Sequence, residues 1–190
     1  MEGREAELDE NLRWEKLGDR IIRKDRWIDF REASYRLPNG NEVTPFYHYT
    51  SRDFVVIAAL DRAGNYICVR QYRVGVDAVT TEFPAGAIEA GETPLDAAKR
   101  ELREETGSVA ARWTALGSFY ANPTMGTSRA HCFLAEGCET VAAQELDATE
   151  CVVYRRLNEA ELRQAIADGS FAQAVHMVLY YKAKEVREAR

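Results

Sequence analysis

The chain has 190 residues, of which 46% are hydrophobic, 29% are charged and 10% are aromatic. This composition is typical of a globular protein with enough apolar material for a core, and it excludes disordered and collagen-like chains. The formal net charge of −6 disfavours nucleic acid and anionic lipid as partners, because an acidic surface repels both.

Membrane insertion, secretion and zinc binding are also disfavoured. The longest apolar run, Phe54 to Leu60, is far shorter than the roughly 20 residues that cross a bilayer. The N-terminus, MEGREAELDE, is acidic where a signal peptide would be basic and then apolar. The four cysteines form no CxxC pair, so we interpret them as small core residues of a reduced, cytoplasmic protein without a membrane partner.

The N-terminal part of the chain predicts a small sheet. Residues 1–13 are highly charged, which predicts a frayed or weakly helical leader. Over 14–49 apolar and polar residues alternate around a Pro-Asn-Gly-Asn turn signal at 38–41. An antiparallel sheet of this size has too few residues for its own core, so it would pack on the main domain or on a second subunit. We therefore divide the chain into residues 1–49 and 50–190.

The main domain opens with two predicted strands and a helix. The apolar runs 54–60 and 66–73, joined by a turn, are typical of a hairpin. Thr93 is a suitable N-cap for a helix that begins at Pro94 and stops at Gly107. Further strands are predicted at 113–120, 130–135 and 150–157, and further helices at 159–167 and 172–185.

Three carboxylates share one face of the first predicted helix. Glu101, Glu104 and Glu105 stand at i, i+3 and i+4. A solvated acidic surface is the plain alternative, since like charges at this spacing cost only about 0.2–0.5 kcal/mol per pair. However, the preceding loop lets Ala85 and Gly86 bring backbone close to a ligand. Because magnesium is held by a few carboxylates together with phosphates and water, the arrangement favours metal-dependent cleavage of a phosphoanhydride.

The same segment carries a family signature. Gly86, Glu92 and the run Arg100-Glu101-Leu102-x-Glu104-Glu105-x-Gly107 resemble the Nudix box of the Nudix hydrolases. The last position departs, because Ser108 replaces an aliphatic residue and Val109 follows; we interpret this as a local packing difference. The resemblance implies an α/β (α+β) fold, a Nudix-type α/β/α sandwich with a mixed sheet, extended here by the N-terminal antiparallel strands.

The resemblance also implies a Mg²⁺ or Mn²⁺ site on this helix. Glu101 and Glu105 would be the principal ligands, and Glu104 would bind the metal or its water. The backbone carbonyl of Ala85 would be a further ligand. Structural support for the helix and loop is implied for Gly86, Glu92 and Arg100.

The segments around the box resemble the ADP-ribose pyrophosphatase branch of the family. They are Gln71-Tyr72-Arg73, the run 82–86, Pro123 and the strand-forming N-terminal extension. This resemblance implies hydrolysis of nucleoside diphosphate sugars such as ADP-ribose to a nucleoside monophosphate and a sugar phosphate. It also implies a homodimer.

Five residues are candidates for contact with the substrate. Arg73 and Glu82 would contact the diphosphate and the sugar or metal, since a planar guanidinium suits phosphate. Trp27 or Phe30 would stack on a base, with a core or dimer contact as the alternative for either ring. Arg129 replaces a carboxylate of that branch, which leaves the sugar preference open.

The general base is open between two glutamates of a late loop. Related enzymes supply a catalytic glutamate there, and the carboxylates of this loop are Glu145, Asp147 and Glu150. Glu150, at the head of a predicted strand, aligns best as a ligand, but Ala148 stands two residues before it. Together with Glu104 and Glu105, these two glutamates are the predicted catalytic carboxylates.

Two other functions are compatible with the sequence. One is a Nudix hydrolase of another substrate, such as a dinucleoside polyphosphate, NADH, a CoA derivative or an oxidised nucleotide. The other is a non-catalytic nucleotide sensor, which the intact glutamates disfavour.

Overall fold

The chain folds into two compact units in a computed structural model that describes residues 11–190. The first unit contains the chain up to Arg52 together with Tyr120–Ser128. The second contains Asp53–Phe119 and Arg129–Arg190.

The predicted boundary after residue 49 falls close to this division. The sequence contains no signal that assigns Tyr120–Ser128 to the N-terminal unit, so this assignment comes from the structure alone. The predicted leader, residues 1–13, falls mainly on residues 1–10, which lie outside the described residues.

The first unit is built on a three-stranded antiparallel sheet, as the alternation of residues predicts. Its strands, in the order β1-β2-β3, are β1 (Glu15–Lys24), β2 (Asp29–Arg36) and β3 (Glu42–Thr50). Trp14 packs edge-on against Tyr35 and Phe46, with ring centroids 5.9 and 5.7 Å away. The segment 120–128 joins this sheet through Tyr49, whose N–H donates to the Met125 carbonyl at 2.8 Å.

The second unit is built on a mixed sheet of eight described strands. The strands are β4 (Phe54–Asp61), β5 (Tyr66–Arg73), β6 (Ala78–Glu82), β7 (Ala85–Ala87), β8 (Ser108–Val109), β9 (Arg112–Tyr120), β10 (Arg129–Thr140) and β11 (Val153–Leu157). Their central order is β11-β5-β4-β10-β8, with β6 on β5, β7 on β4 and β9 on β10. β4 and β10 run parallel, whereas the pairs β8–β10, β5–β11, β4–β5, β4–β7 and β5–β6 are antiparallel.

Helices cover both faces of this sheet. They are α1 (Pro94–Thr106), α2 (Glu159–Ala167) and α3 (Ala174–Glu188). α1 packs through Leu102 on Ile57 and Ile67, whereas Leu162 of α2 and Leu179 of α3 belong to the core cluster on the other face. The α/β/α sandwich that the sequence predicts is therefore the observed fold. No helix within residues 11–190 is long and apolar enough to span a bilayer.

Some predicted boundaries were wrong. β11 begins at Val153, so Glu150 lies in the loop before the strand rather than at its head. β10 continues to Thr140, beyond the predicted end at 135, and α3 runs two to three residues later than predicted.

The box ends in Ser108 where the family pattern has an aliphatic residue, and this serine packs against a polar partner. Ser108 is completely buried, and its hydroxyl lies 3.3 Å from the Thr106 carbonyl and 3.2 Å from Thr140 Oγ1. A hydroxyl at this buried position is accommodated because β10 supplies a hydrogen-bonding group opposite it.

Candidate active site

α1 is held rigidly at both ends and along one face. Thr93 caps it, accepting from the Asp96 N–H at 3.2 Å, and Pro94 occupies its first turn. The helix ends at Gly107, whose φ of 65° is left-handed and favours glycine. Because Ala98 and Leu102 are fully buried against the sheet, the carboxylates on the neighbouring face have a fixed direction.

Glu105 is buried beside the loop that precedes the box. It is 3% exposed, and its Oε2 accepts from the Ala85 N–H at 3.0 Å. Burial raises the pKa of Glu105 to about 8, and the charges of Glu101 and Glu150 act in the same direction. A buried carboxyl among other carboxylates is a group that a cation would stabilise in its charged form.

Glu101 lies directly against the backbone of the same loop. A Cβ atom at Gly86 would overlap the Glu101 carboxylate, so the glycine is required for this approach. Burial raises the pKa of Glu101, although the Arg100 guanidinium, 2.8 Å from its Oε1, opposes this shift. Glu101 and Glu105 are therefore both buried carboxylates that contact the segment at Ala85 and Gly86.

Arg100 joins the helix to the loop. It binds both oxygens of Glu92, at 2.9 and 3.0 Å, and donates to the Ala87 carbonyl at 3.0 Å. Its Nη1 also lies 2.8 Å from Glu101 and 2.9 Å from Glu104. A planar guanidinium can serve all these acceptors at once, so Arg100 fixes the loop and two carboxylates relative to each other.

The chemistry of these groups fits a divalent metal. Among residues 11–190, no three or more His, Cys, Asp or Glu side chains are grouped so that they could hold a metal ion by themselves. Magnesium, however, commonly takes only one or two carboxylates and completes its shell with water and substrate phosphates. Glu101 and Glu105 supply those carboxylates in a buried place where their charges disfavour each other, and the half-buried Glu104 lies beside them.

Arg73 and Glu82, which the sequence predicts as two contacts to the substrate, form an ion pair with each other. Glu82 is completely buried and accepts from Arg73 Nε at 2.8 Å, from Arg73 Nη2 and from Thr80. Although burial opposes ionisation, these bonds hold the pKa of Glu82 below its ordinary value. Glu82 therefore directs Arg73, and it is the partly exposed guanidinium that lines a groove beside Ala85 and Gly86.

The structure separates the two candidate bases. Glu150 is close enough to raise the pKa of both Glu101 and Glu105 by its charge. Glu145 instead faces Arg103, with 3.7 Å between the charged atoms, and its backbone N–H donates to the Glu104 carbonyl at 2.9 Å. Glu150 thus belongs to the same electrostatic cluster as the buried carboxylates.

The remaining predicted contacts are divided between the two units. Trp27 is in the first unit, 61% exposed, with the Arg26 guanidinium 4.5 Å from its ring centroid. Phe30, in the same unit, stacks on Tyr47 at 5.8 Å. Arg129 belongs to the second unit, where it donates to Asp53 through its backbone and to Ser118 through its side chain.

Sequence reasoning missed two groups at the site. The Gln144 amide donates to the Glu105 carbonyl at 2.6 Å and to the Val152 carbonyl at 3.2 Å, which ties the late loop to α1. His176, in α3, accepts from the Phe83 N–H at 3.0 Å and lines the same groove as Arg73. Neither belongs to a local motif, so no signal in the sequence identifies them.

The chain matches proteins of known family. A model of the NUDIX domain matches residues 50–176. The ADP-ribose pyrophosphatase of Bacillus subtilis is 30% identical over 166 residues, covering 86% of this chain and 89% of that protein. The ADP compounds hydrolase NudE of Escherichia coli is 27% identical over 136 residues, covering 72% of each chain.

A solved structure shares the fold. The crystal structure of an ADP compounds hydrolase matches with a TM-score of 0.79 at 22% identity, covering 93% of this chain and 95% of that chain. The chain therefore belongs to the Nudix family of hydrolases. The family and the enzyme class that the box predicts are both confirmed.

Proposed function

We propose that this enzyme hydrolyses the diphosphate linkage of nucleoside diphosphate sugars such as ADP-ribose, releasing a nucleoside monophosphate and a sugar phosphate. The observation that carries the proposal is the pair of buried carboxylates, Glu101 and Glu105, held against the backbone at Ala85 and Gly86. The names of the similar proteins, ADP-ribose pyrophosphatase and ADP compounds hydrolase, support the same substrate class.

The cofactor in this proposal is Mg²⁺ or Mn²⁺. Glu101, Glu105, Glu104 and the Ala85 carbonyl would hold it, because hard ions prefer oxygen ligands. When bound, such an ion neutralises charge on phosphoryl oxygens and makes a bound water more acidic. Arg100 keeps Glu101 and Glu104 in place, and Arg73, directed by Glu82, is placed to bind phosphate.

Glu150 is the general base that the electrostatics of the site favour. A base must lie within reach of the water it deprotonates, and Glu150 is the late-loop carboxylate that interacts with the buried pair. We expect E150Q to lower kcat about a hundredfold or more, in line with the 10²–10⁴-fold contribution of general bases. E145Q is the matched control and should retain most activity.

The dimer and the cellular location belong to the same proposal. Apolar side chains on the edge strand β1, including Leu17, Ile21 and Ile22, are exposed, which supports pairing of two first units. Sedimentation of the wild type and of a double variant L17S/I21S tests this. The acidic charge and the unpaired cysteines support a reduced, cytoplasmic protein that binds no nucleic acid.

The test of function is a magnesium-dependent assay for phosphate monoester products across nucleoside diphosphate sugars, dinucleoside polyphosphates, NADH and CoA derivatives. We expect ADP-ribose or a related sugar nucleotide to give the highest kcat/KM, and chelation of the metal to abolish turnover. Preference for a compound of another class would overturn the substrate assignment. Background release for every compound would favour the nucleotide sensor.

A further inference from the structure

A groove of about 480 Å³ adjoins the carboxylate face in the second unit. Its wall includes Gly86 of the box, Arg73 at the end of β5, and Gln173 and His176 at the start of α3. The groove therefore reaches from the predicted metal site to the N-terminus of a helix.

His176 presents a fixed hydrogen-bond donor in this groove. The Phe83 N–H donates to His176 Nδ1 at 3.0 Å, so Nδ1 carries no proton. Burial lowers the pKa of His176 to about 4, and the ring is therefore neutral near pH 7. The single proton of a neutral ring whose Nδ1 is an acceptor lies on Nε2.

Nε2 of His176 has no hydrogen-bond partner among residues 11–190. In that part of the chain, the enclosed side-chain atoms that lack a partner are His48 Nε2 and Arg70 Nε. His176 Nε2 is not enclosed in this way, and its ring lines the groove although the residue is only 1% exposed. A side chain that is otherwise buried and keeps its one unpartnered donor on a groove wall can donate to an acceptor that enters the groove, either water or an oxygen of a ligand.

The start of α3 adds further donors at the same place. The helix has 15 residues and begins after Gln173, and no side chain caps it. Its first backbone N–H groups have no intrahelical partner, and the helix dipole favours an anion there. The Gln173 side chain does not cap the helix, and it lowers the pKa of the Glu82 carboxyl.

We propose that this groove is a phosphate subsite, in which His176 Nε2–H and the first N–H groups of α3 donate to phosphoryl oxygens. Arg73 supplies positive charge on the wall of the same groove. The inference rests on the proposed function, because a diphosphate held at the carboxylate face is the anion that would extend into the groove. It assigns a binding role to the last helix, which lies outside the box.

Two substitutions separate this role from a purely structural one. H176N keeps an acceptor for the Phe83 N–H, near the position of Nδ1, but has no donor near the position of Nε2. H176Q restores a donor near Nε2 and loses the acceptor near Nδ1. A subsite therefore predicts that H176N is impaired more than H176Q in binding phosphate, whereas a structural role predicts the reverse.

The probe is ribose 5-phosphate, titrated into metal-free enzyme by calorimetry, with ribose as the control without phosphate. We expect H176N to weaken binding about 10- to 100-fold, as for loss of a hydrogen bond to a charged group. In the wild type, the ¹⁵N resonance of His176 Nε2 should shift with ribose 5-phosphate and not with ribose. Equal dissociation constants for the wild type and H176N, or a resonance that does not move at saturation, would overturn the subsite.

The experiment distinguishes failure of the subsite from failure of the proposed function. If the wild type hydrolyses ADP-ribose and H176N has an unchanged KM, the subsite is wrong and the function stands. If no sugar nucleotide is hydrolysed but ribose 5-phosphate still shifts the His176 resonance, the subsite stands and the substrate assignment is wrong.

Discussion

The backbone N–H of Ala85 donates to Glu105 Oε2 at 3.0 Å, which joins the loop before the Nudix box to the helix 20 residues later. This bond brings a backbone segment and a buried carboxylate to one place. Gly86 allows Glu101 to approach the same segment. Both carboxylates therefore lie against the backbone at Ala85 and Gly86.

Glu105→Gln should remove activity and leave the fold intact. The amide keeps an acceptor for the Ala85 N–H but loses the charge, so kcat should fall roughly a hundredfold to ten-thousandfold, corresponding to several kcal/mol of metal-dependent stabilisation. The melting temperature without metal should change little, since burial already favours the neutral form of Glu105 and the amide has nearly the same volume. Glutamine at the exposed Glu188 is the control, and full activity of E105Q would contradict its role as a ligand.

Gly86→Ala should displace Glu101. The new Cβ would overlap the carboxylate, so the side chain or the loop must move. Loss of such support weakens metal affinity about 10- to 100-fold, which calorimetric titration with Mg²⁺ or Mn²⁺ measures. Gly18→Ala is the matched control because a Cβ there meets nothing within 4 Å. Unchanged metal affinity in G86A would show that the close approach has no role in binding.

Arg100→Lys should impair the enzyme although the charge is retained. An ammonium group cannot reach Glu92, the Ala87 carbonyl and Glu101 simultaneously, so the loop and helix lose their common partner. We expect kcat/KM to fall about 10- to 100-fold. Arg103→Lys on the same helix, whose 3.7 Å pair with Glu145 is exposed, should be near wild type. Equal activity of the two variants would refute the positioning role.

Acid should destabilise the second unit through His176. The pKa of His176 falls from 6.5 to about 4 because burial outweighs the attraction of Glu82, and Arg73 acts in the same direction as burial. The unfolded chain therefore binds more protons between these values, and stability is lost as the pH falls from 6.5 to 4. The loss is about 3 kcal/mol at 1.36 kcal/mol for each pKa unit.

The measurement is chemical denaturation of the wild type and H176F between pH 4 and 7. The difference in unfolding free energy between them should shrink as the pH falls, because phenylalanine does not titrate. A constant difference across that range would mean that His176 keeps its ordinary pKa in the folded protein.

The elements that local chemistry defines were predicted well. Thr93, Pro94 and Gly107 mark the ends of α1, and each acts through its own backbone or side chain. Asn158 marks α2 in the same way, with a capping box to Glu161. The head of β11 was placed too early because the residues before Val153 have no capping or turn signal strong enough to separate loop from strand.

The sequence by itself determined the family, the layered fold and which face of α1 carries the carboxylates. The carboxylate face follows from residue spacing along one helix, and the family and the fold are implied by the resemblance that a motif within about two dozen positions carries. Only the tertiary structure decided that Glu105 is buried, that Glu82 binds Arg73, that the charge of Glu150 raises the pKa of Glu105, and that His176 lines the groove. These facts depend on contacts between residues far apart in the chain, which packing of the sheet and helices sets and local patterns do not encode.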